Sequence, residues 1–199
     1  MKWIIGIDEV GRGPVAGPVC LCAVAMPVQE YKNMRWHKAG STLTDSKKMA
    51  PSAREKWHAI AKQLEKNKKI KIAVAMRSAN VIDEKGISLC IKSCINSILT
   101  KLAIDPKDCL VLLDGGLKAP VRFTSQRTVI RGDATHKIIA FASVVAKVRR
   151  DAVMKRLHKA YPSYAWAQNK GYGTALHMAA LREKGLTPIH RKSFLSKGF

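Results

Sequence analysis

Three apolar runs in this chain each end where an acid meets glycine. "WIIGIDEVGRG" leads from Trp3 to Asp8 and Glu9, then to Gly11; "CLVLLDGG" leads from Cys109 to Asp114, Gly115 and Gly116; "TVIRGDA" leads from Thr128 to Gly132 and Asp133. Short apolar runs closed by turn residues read as strands. Glycine at their ends lets the backbone turn and lets a ligand come close. If neighbouring strands end at one edge, these carboxylates converge. Clustered carboxylates repel, and one or more keeps its proton unless a cation neutralises them. Hard divalent ions with oxygen ligands do so, and Mg²⁺ takes a few carboxylates together with water and substrate phosphate. Two such ions would clamp the attacking and leaving oxygens of a phosphoryl displacement. A lone Asp in such a setting is more often a turn residue, which is the reading for Asp45, Asp83, Asp105 and Asp108. Adjacent strand residues point to opposite faces. Asp8 and Glu9 therefore share a site only if their strand twists or ends there, with Gly11-Arg12-Gly13 as the turn.

Acids are scarce in this chain. It has 36 Lys and Arg against 14 Asp and Glu, a net charge of +22 that concentrates polyanions, of which nucleic acid is the commonest. A merely soluble basic surface or an acidic membrane leaflet is the alternative. The acids and the positive field are complementary: metal neutralises the carboxylates, and the basic surface holds a phosphodiester backbone.

With 199 residues, 47% of them hydrophobic, the chain can bury the core of one large domain, or of one domain with a small appendage. Its N-terminal apolar run, Trp3–Ile7, is too short for a signal peptide, and no stretch is long enough to span a bilayer. A cytoplasmic protein is expected. The five cysteines include pairs at 20/22 and 90/94, which read as core thiols rather than disulfides or a zinc site. The six histidines lack ligand spacing and read as surface or backbone-contacting groups.

Strands are expected over Trp3–Asp8 and Val19–Met26 as an antiparallel pair, over Ile70–Met76, over the Cys109 run, and over Thr128–Arg131. Residues 28–50 read as loop or irregular structure. Ser52 with Glu55 three later is a capping-box signal for a helix over about 52–66. A helical stretch breaks at Gly86 and resumes over about Ser88–Leu102. "HKIIAFASVVAKVRRD" is apolar nearly all round through Val148, so this part is a buried helix. A last helix covers about 174–184. The order implies an α/β fold with a mixed five-stranded sheet flanked by helices.

The stretches "GIDEVGRGPVAGPV", "LTDSKKM", "LLDGG", "RGDA", "IIAFASVVAKVRRD", "NKGYGT" and "GLTPIHRKSF" together resemble the ribonuclease HII family. The resemblance covers nearly the whole chain. It implies an RNase H-like fold over 1–199 as a single catalytic domain, with a C-terminal helical extension over about 160–199. It implies an endoribonuclease that cuts the RNA strand of RNA/DNA hybrids and cuts 5′ of single ribonucleotides embedded in duplex DNA. Two Mg²⁺ or Mn²⁺ ions would be used, leaving 5′-phosphate and 3′-hydroxyl ends. Carried over by position, the family's acidic ligands fall on Asp8, Glu9, Asp114 and Asp133. Its ribose-reading loop falls on Gly11, Arg12 and Gly13, where backbone groups would contact the 2′-OH. Tyr172 matches its junction-stacking tyrosine. Lys47, beside Lys48, reads as a phosphate contact.

Gly116, where a polar residue is expected, and Thr135-His136 depart from the family pattern. The terminal "SFLSKGF" lacks a sliding-clamp motif, so clamp binding is not expected, and a monomer is the default. Arg149, Arg150 and Asp151 read as helix-surface and ion-pairing groups; Asp151 is the best candidate for a fifth acid near metal but is not counted among the ligands. The rival readings are a junction resolvase of the same fold and a non-catalytic basic RNA-binding protein. Activity on ribose-free DNA would favour the first, and the acid-glycine strand ends argue against the second.

Overall fold

The chain begins with strand β1 (Trp3–Val10) and strand β2 (Val19–Pro27), followed by helix α1 (Val28–Asn33) and the two-residue strands β3 (His37–Lys38) and β4 (Ser41–Thr42). Helix α2 (Pro51–Lys66), strand β5 (Lys71–Arg77) and helices α3 (Ala79–Lys85) and α4 (Ile87–Leu102) come next. Strands β6 (Cys109–Asp114) and β7 (Gln126–Val129) complete the main sheet, and helices α5 (Gly132–Thr135), α6 (Lys137–Ala160), α7 (Trp166–Asn169) and α8 (Ala175–Lys184) follow. The computed structural model describes residues 1–38 and 40–195. The last four residues of "SFLSKGF", on which the clamp expectation partly rests, lie outside the described residues.

The main sheet has the order β5-β2-β1-β6-β7. Strands β2 and β5 extend it antiparallel on one side of β1, and β6 and β7 extend it parallel on the other. This is the expected mixed five-stranded sheet. Both of its faces are covered, which is why "VCLCAVAM" shows no polar alternation. Val19, Leu21, Ala23 and Ala25 of β2 pack into one apolar layer with Ile91, Ile95 and Ile98 of α4. The alternate residues Cys20, Cys22, Val24 and Met26 pack into the other with α6 and Trp57 of α2. Along α6, Ile138–Ala146 are buried on every side. Gly6 lets this helix lie against β1: a Cβ there would sit 2.3 Å from the carbonyl oxygen of Ile138.

Several boundaries differ from the sequence reading. The 28–50 region contains α1 and the β3–β4 pair. Helix α2 is not capped by Ser52. Ala50 is its N-cap and Pro51 opens it, since proline at the first helical position has φ already set and needs no N–H partner. The fifth strand, β7, lies slightly earlier than read, because Arg131 turns into the left-handed region (φ 53°) and starts the one-turn helix α5. Gly86, at φ 78°, ends α3 and begins α4.

A third apolar cluster joins Ala16 and Met154 to Tyr164, Trp166, Leu181 and Leu195, so the C-terminal segment packs onto α6 and onto the loop after β1. The five cysteines are all buried free thiols, and burial pushes Cys20 up to about 12. Among the described residues no helix is long and apolar enough to cross a membrane.

Candidate active site

Parallel pairing decides where the acids lie. The β1–β6 register ends at Ile7 opposite Leu113, so the next residues, Asp8 and Asp114, stand side by side, Asp114 as the last residue of β6 and Asp8 within β1, which runs on against β2 to Val10. The β6–β7 register ends at Asp114 opposite Val129. Two residues after Val129 the left-handed Arg131 turns the chain back toward Asp114. There the Gly132 N–H donates to Asp114 Oδ1 at 2.6 Å and the Asp133 N–H lies 3.4 Å from the same oxygen. A Cβ on Gly132 would lie 2.6 Å from Ile139 Cδ1 and 3.3 Å from Asp114 Oδ1, so a side chain there would have to displace the end of the Ile139 side chain. The carboxyl ends of parallel strands are the usual place for a site in such sheets.

Their surroundings disfavour charge. Asp8 is 4% exposed and Asp133 6%. Burial, with Glu9 and Asp114 adding repulsion, pushes Asp8 up to about 8, although a hydrogen bond from Ser143 and one from the Glu9 N–H (2.7 Å) pull the other way. Burial also raises Glu9, against the nearby Arg12 guanidinium and with Asp114 adding to the rise. Asp133 is raised by burial, then by Asp114 and Asp45. Although Asp8 and Glu9 leave β1 in opposite directions, Asp114 at the end of the neighbouring strand repels both. Glu9 Oε1 lies 3.6 Å from Arg12 Nη1, while its buried Oε2 has no partner among the described residues.

This donor set is all carboxylate oxygen and suits a hard divalent cation. Among the described residues no three His, Cys, Asp or Glu side chains form a ready-made cage. Mg²⁺ seldom needs one, since it is commonly held by one or two carboxylates and completed by water and substrate phosphate. Asp8, Glu9 with its orphaned oxygen, Asp114 and Asp133 are the residues that could hold such ions.

Lys47 faces the same acids. Burial alone would lower its pKa, but Asp133, Asp45, Asp8 and Asp114 outweigh that and raise it. Asp45 accepts the Lys47 N–H at 2.8 Å, the turn role expected of it. Asp105 likewise accepts the Lys107 N–H at 2.9 Å. Asp108 pairs with Lys2 at 3.1 Å. Asp83 is not a turn residue: it lies in α3 and accepts from the N–H groups of Lys192 and Ser193, anchoring the C-terminal segment.

The loop after β1 meets Tyr172. A Cβ on Gly13 would be 4.0 Å from Tyr172 Cε1, and the tyrosine ring is 47% exposed beside it. The Tyr172 carbonyl accepts from His177 Nδ1 at 2.8 Å, which fixes the histidine tautomer, because a carbonyl only accepts. His177 Nε2 then accepts from Trp166 Nε1–H (3.0 Å) and from His190 Nε2–H (3.1 Å). His190 Nδ1 accepts the Thr187 N–H at 2.9 Å. Both histidines are neutral in this chain of bonds. Burial, reinforced by His177, pushes His190 down to about 4. They do contact backbone, as read from the sequence, but they are buried rather than on the surface.

The sequence reading missed several residues near the site. Ser143 bonds Asp8 and lies 2.8 Å from Ser46 Oγ; it is the one hydroxyl within the apolar run Ile138–Ala146, which was the available signal. Arg150, read as a surface group, is fully buried and bonds only backbone carbonyls. It lies seven residues, two helical turns, after Ser143 on α6. Asp151 pairs with Lys147 at 2.9 Å. From Arg12 and Gly116 a groove of about 950 Å³ runs between α4 and the loop at 116–121, past Lys92 and Lys118.

The family model for ribonuclease HII matches residues 5–197 of this chain. A ribonuclease HII from Clostridium perfringens is 40% identical over 194 residues, 98% of this chain and 67% of its own length. A ribonuclease HII from Synechococcus is 40% identical over 196 residues, 98% of this chain and 94% of its own length. The crystal structure of ribonuclease H2 from Pyrococcus horikoshii matches with a TM-score of 0.73, covering 96% of this chain and 93% of that one. At 23% identity this last likeness speaks for the fold.

Proposed function

Because the chain belongs to the ribonuclease HII family, whose members are divalent-metal-dependent endoribonucleases acting on RNA/DNA hybrids, we propose that it also cuts duplex DNA 5′ of a single embedded ribonucleotide. The ends left are a 5′-phosphate and a 3′-hydroxyl. The observation that carries this reading is the meeting of Asp8, Asp114 and Asp133 at one sheet edge, with the Gly11–Gly13 loop facing Tyr172 beside it.

Asp8, Glu9, Asp114 and Asp133 would hold two divalent ions, Mg²⁺ or Mn²⁺. When bound, such ions supply a water of lowered pKa and stabilise the charge on the departing 3′-oxygen. The protein's own work is positional. Ser143 and the Glu9 N–H fix the Asp8 carboxylate, and Gly132 fixes Asp114. Lys47 offers a cation to the phosphate beside the acids. The amides of the Gly11–Gly13 loop offer donors to the ribose 2′-oxygen, the atom that separates RNA from DNA. The Tyr172 ring can stack on the next sugar. Basic groups along the groove from Arg12, including Lys92 and Lys118, would track the phosphate backbone. The chain then works as one catalytic domain and its helical extension.

The experiment is cleavage of a DNA duplex carrying one ribonucleotide, with Mg²⁺, with chelator, and with Asp8→Asn. A single cut 5′ of the ribonucleotide is expected, abolished by chelator and by the substitution. Equal cutting of an all-DNA duplex or junction, or unchanged cutting by Asp8→Asn, would overturn the proposal.

A further inference from the structure

Arg150 and Arg191 are each 0% exposed, yet their six guanidinium hydrogen bonds all go to backbone carbonyls. Arg191 donates to Gly11 O (2.7 Å), Arg12 O (2.9 Å) and Gly17 O (3.0 Å). Arg150 donates to Pro18 O (2.8 Å), Ala16 O (3.2 Å) and Lys170 O (2.9 Å). Burying a guanidinium without a carboxylate is expensive, and apolar side chains of similar volume commonly serve stability as well or better. Burial, with Arg150 close by, pushes Arg191 down to about 10. Two such groups packed around one loop need a reason other than stability.

Peptide geometry supplies it. In a trans peptide the C=O and the following N–H point in opposite directions. With the Gly11 and Arg12 carbonyls drawn inward to Arg191, the N–H groups of Arg12 and Gly13 are turned outward. Among the described residues neither N–H has a protein acceptor. A Cβ on Gly11 (φ 87°) would fall 2.0 Å from Arg150 Nε, so the loop lies directly on the guanidinium. Arg150 also holds Lys170 O, and the Ala16 N–H donates to Gly171 O at 3.1 Å, so the segment carrying Tyr172 is locked to the same loop.

We propose that Arg150 and Arg191 are positioning residues that hold the Arg12 and Gly13 amides outward, in register with Tyr172, and thereby set the enzyme's preference for a ribose 2′-hydroxyl. This rests on the reading of that loop given under the proposed function. The arginines touch no substrate. They act through the backbone they orient.

The test is equilibrium binding, in chelator so that nothing is cut, of a DNA duplex with one ribonucleotide and of the same duplex in all-DNA form. The wild type is expected to prefer the first by about fivefold, the size of one or two neutral hydrogen bonds. Arg191→Lys and Arg150→Lys keep the charge but cannot reach three carbonyls. They are expected to bind both duplexes with the wild-type affinity for all-DNA duplex. A generally damaged protein would instead weaken on both. Variants that keep the full preference overturn the inference while leaving the proposed function standing. A wild type without any preference sinks the ribose reading itself, and the inference with it. Should the lysine variants not fold, amide hydrogen exchange on the wild type decides. The Arg12 and Gly13 amides should exchange freely alone and become protected by the ribonucleotide duplex but not by all-DNA. Protection already present in the free protein would show that the amides point inward, and the inference would be wrong.

Discussion

The N–H of Gly132 donates to Asp114 Oδ1 at 2.6 Å, tying the turn that delivers Asp133 to the carboxylate it stands beside. One oxygen of Asp114 is thus structural, while the charge of the group faces the other acids.

The two roles of Asp114 should separate by substitution. Asp114→Asn keeps an oxygen for Gly132 and removes the charge. Its thermal stability should stay within about 0.5 kcal/mol of wild type, while cleavage falls by at least about 100-fold, as for loss of an electrostatic contributor to the transition state. Asp114→Ala should lose the same activity and also about 1 kcal/mol of stability with the hydrogen bond. Melting curves and single-turnover cleavage of both variants check this. Equal stability of the two would mean that the Gly132 contact carries nothing.

Asp8 sets a pH dependence of its own. Its pKa is about 8 in the folded chain against 3.8 for an ordinary aspartate. Between those values the folded state binds more protons than the unfolded one, so this contribution is fully present below about pH 3.8 and is lost as pH rises through 8. In chelator at pH 8, Asp8→Asn should therefore melt higher than wild type, by roughly 2–4 °C for each kcal/mol regained, though it cuts nothing. Stabilisation of the wild type by Mg²⁺ should grow over the same pH range, because the cation replaces a proton. A variant that melts lower at pH 8 would contradict the burial argument.

His190 titrates with the opposite sign. Its folded pKa of about 4 lies below the ordinary 6.5. The stability it contributes is present above about 6.5 and disappears as pH falls toward 4, because the unfolded histidine takes up a proton first. Protonation would place hydrogens between His190 Nδ1 and the Thr187 N–H, or between His177 Nε2 and the Trp166 N–H. The difference in melting temperature between wild type and His190→Gln should shrink from pH 7 to pH 4.5, corresponding to roughly 2 kcal/mol. A difference that does not vary with pH would show that the pair is not neutral in the folded protein.

Two glycines should respond in opposite ways to a side chain. Gly6→Ala would drive a methyl to 2.3 Å from the Ile138 carbonyl and push α6 off the sheet. A loss of about 3 kcal/mol or more is expected. A Cβ on Gly116 would meet nothing within 4 Å, so Gly116→Asn should change stability by less than about 0.5 kcal/mol. Denaturant titrations of the two variants give both numbers.

The local pattern carried most of the fold. Continuous apolar runs marked strands buried on both faces, and "IIAFASVVA" marked a helix buried on every side, because burial leaves its period in the residue order. Boundaries shifted where the decisive group was a backbone dihedral, as at Arg131, or where Pro51 rather than Ser52 opened a helix. The three acid-glycine strand ends marked the candidate site for the same local reason. The sequence by itself thus determined which residue types close each strand and which faces are apolar. Only the tertiary structure decided that Asp8 and Asp114 stand side by side, since this follows from the parallel β1–β6 register. It alone buried Arg191 against carbonyls 180 and 174 positions away. A polar side chain carries no mark of a distant backbone partner, and the sign of its environment is set when the chain closes around it.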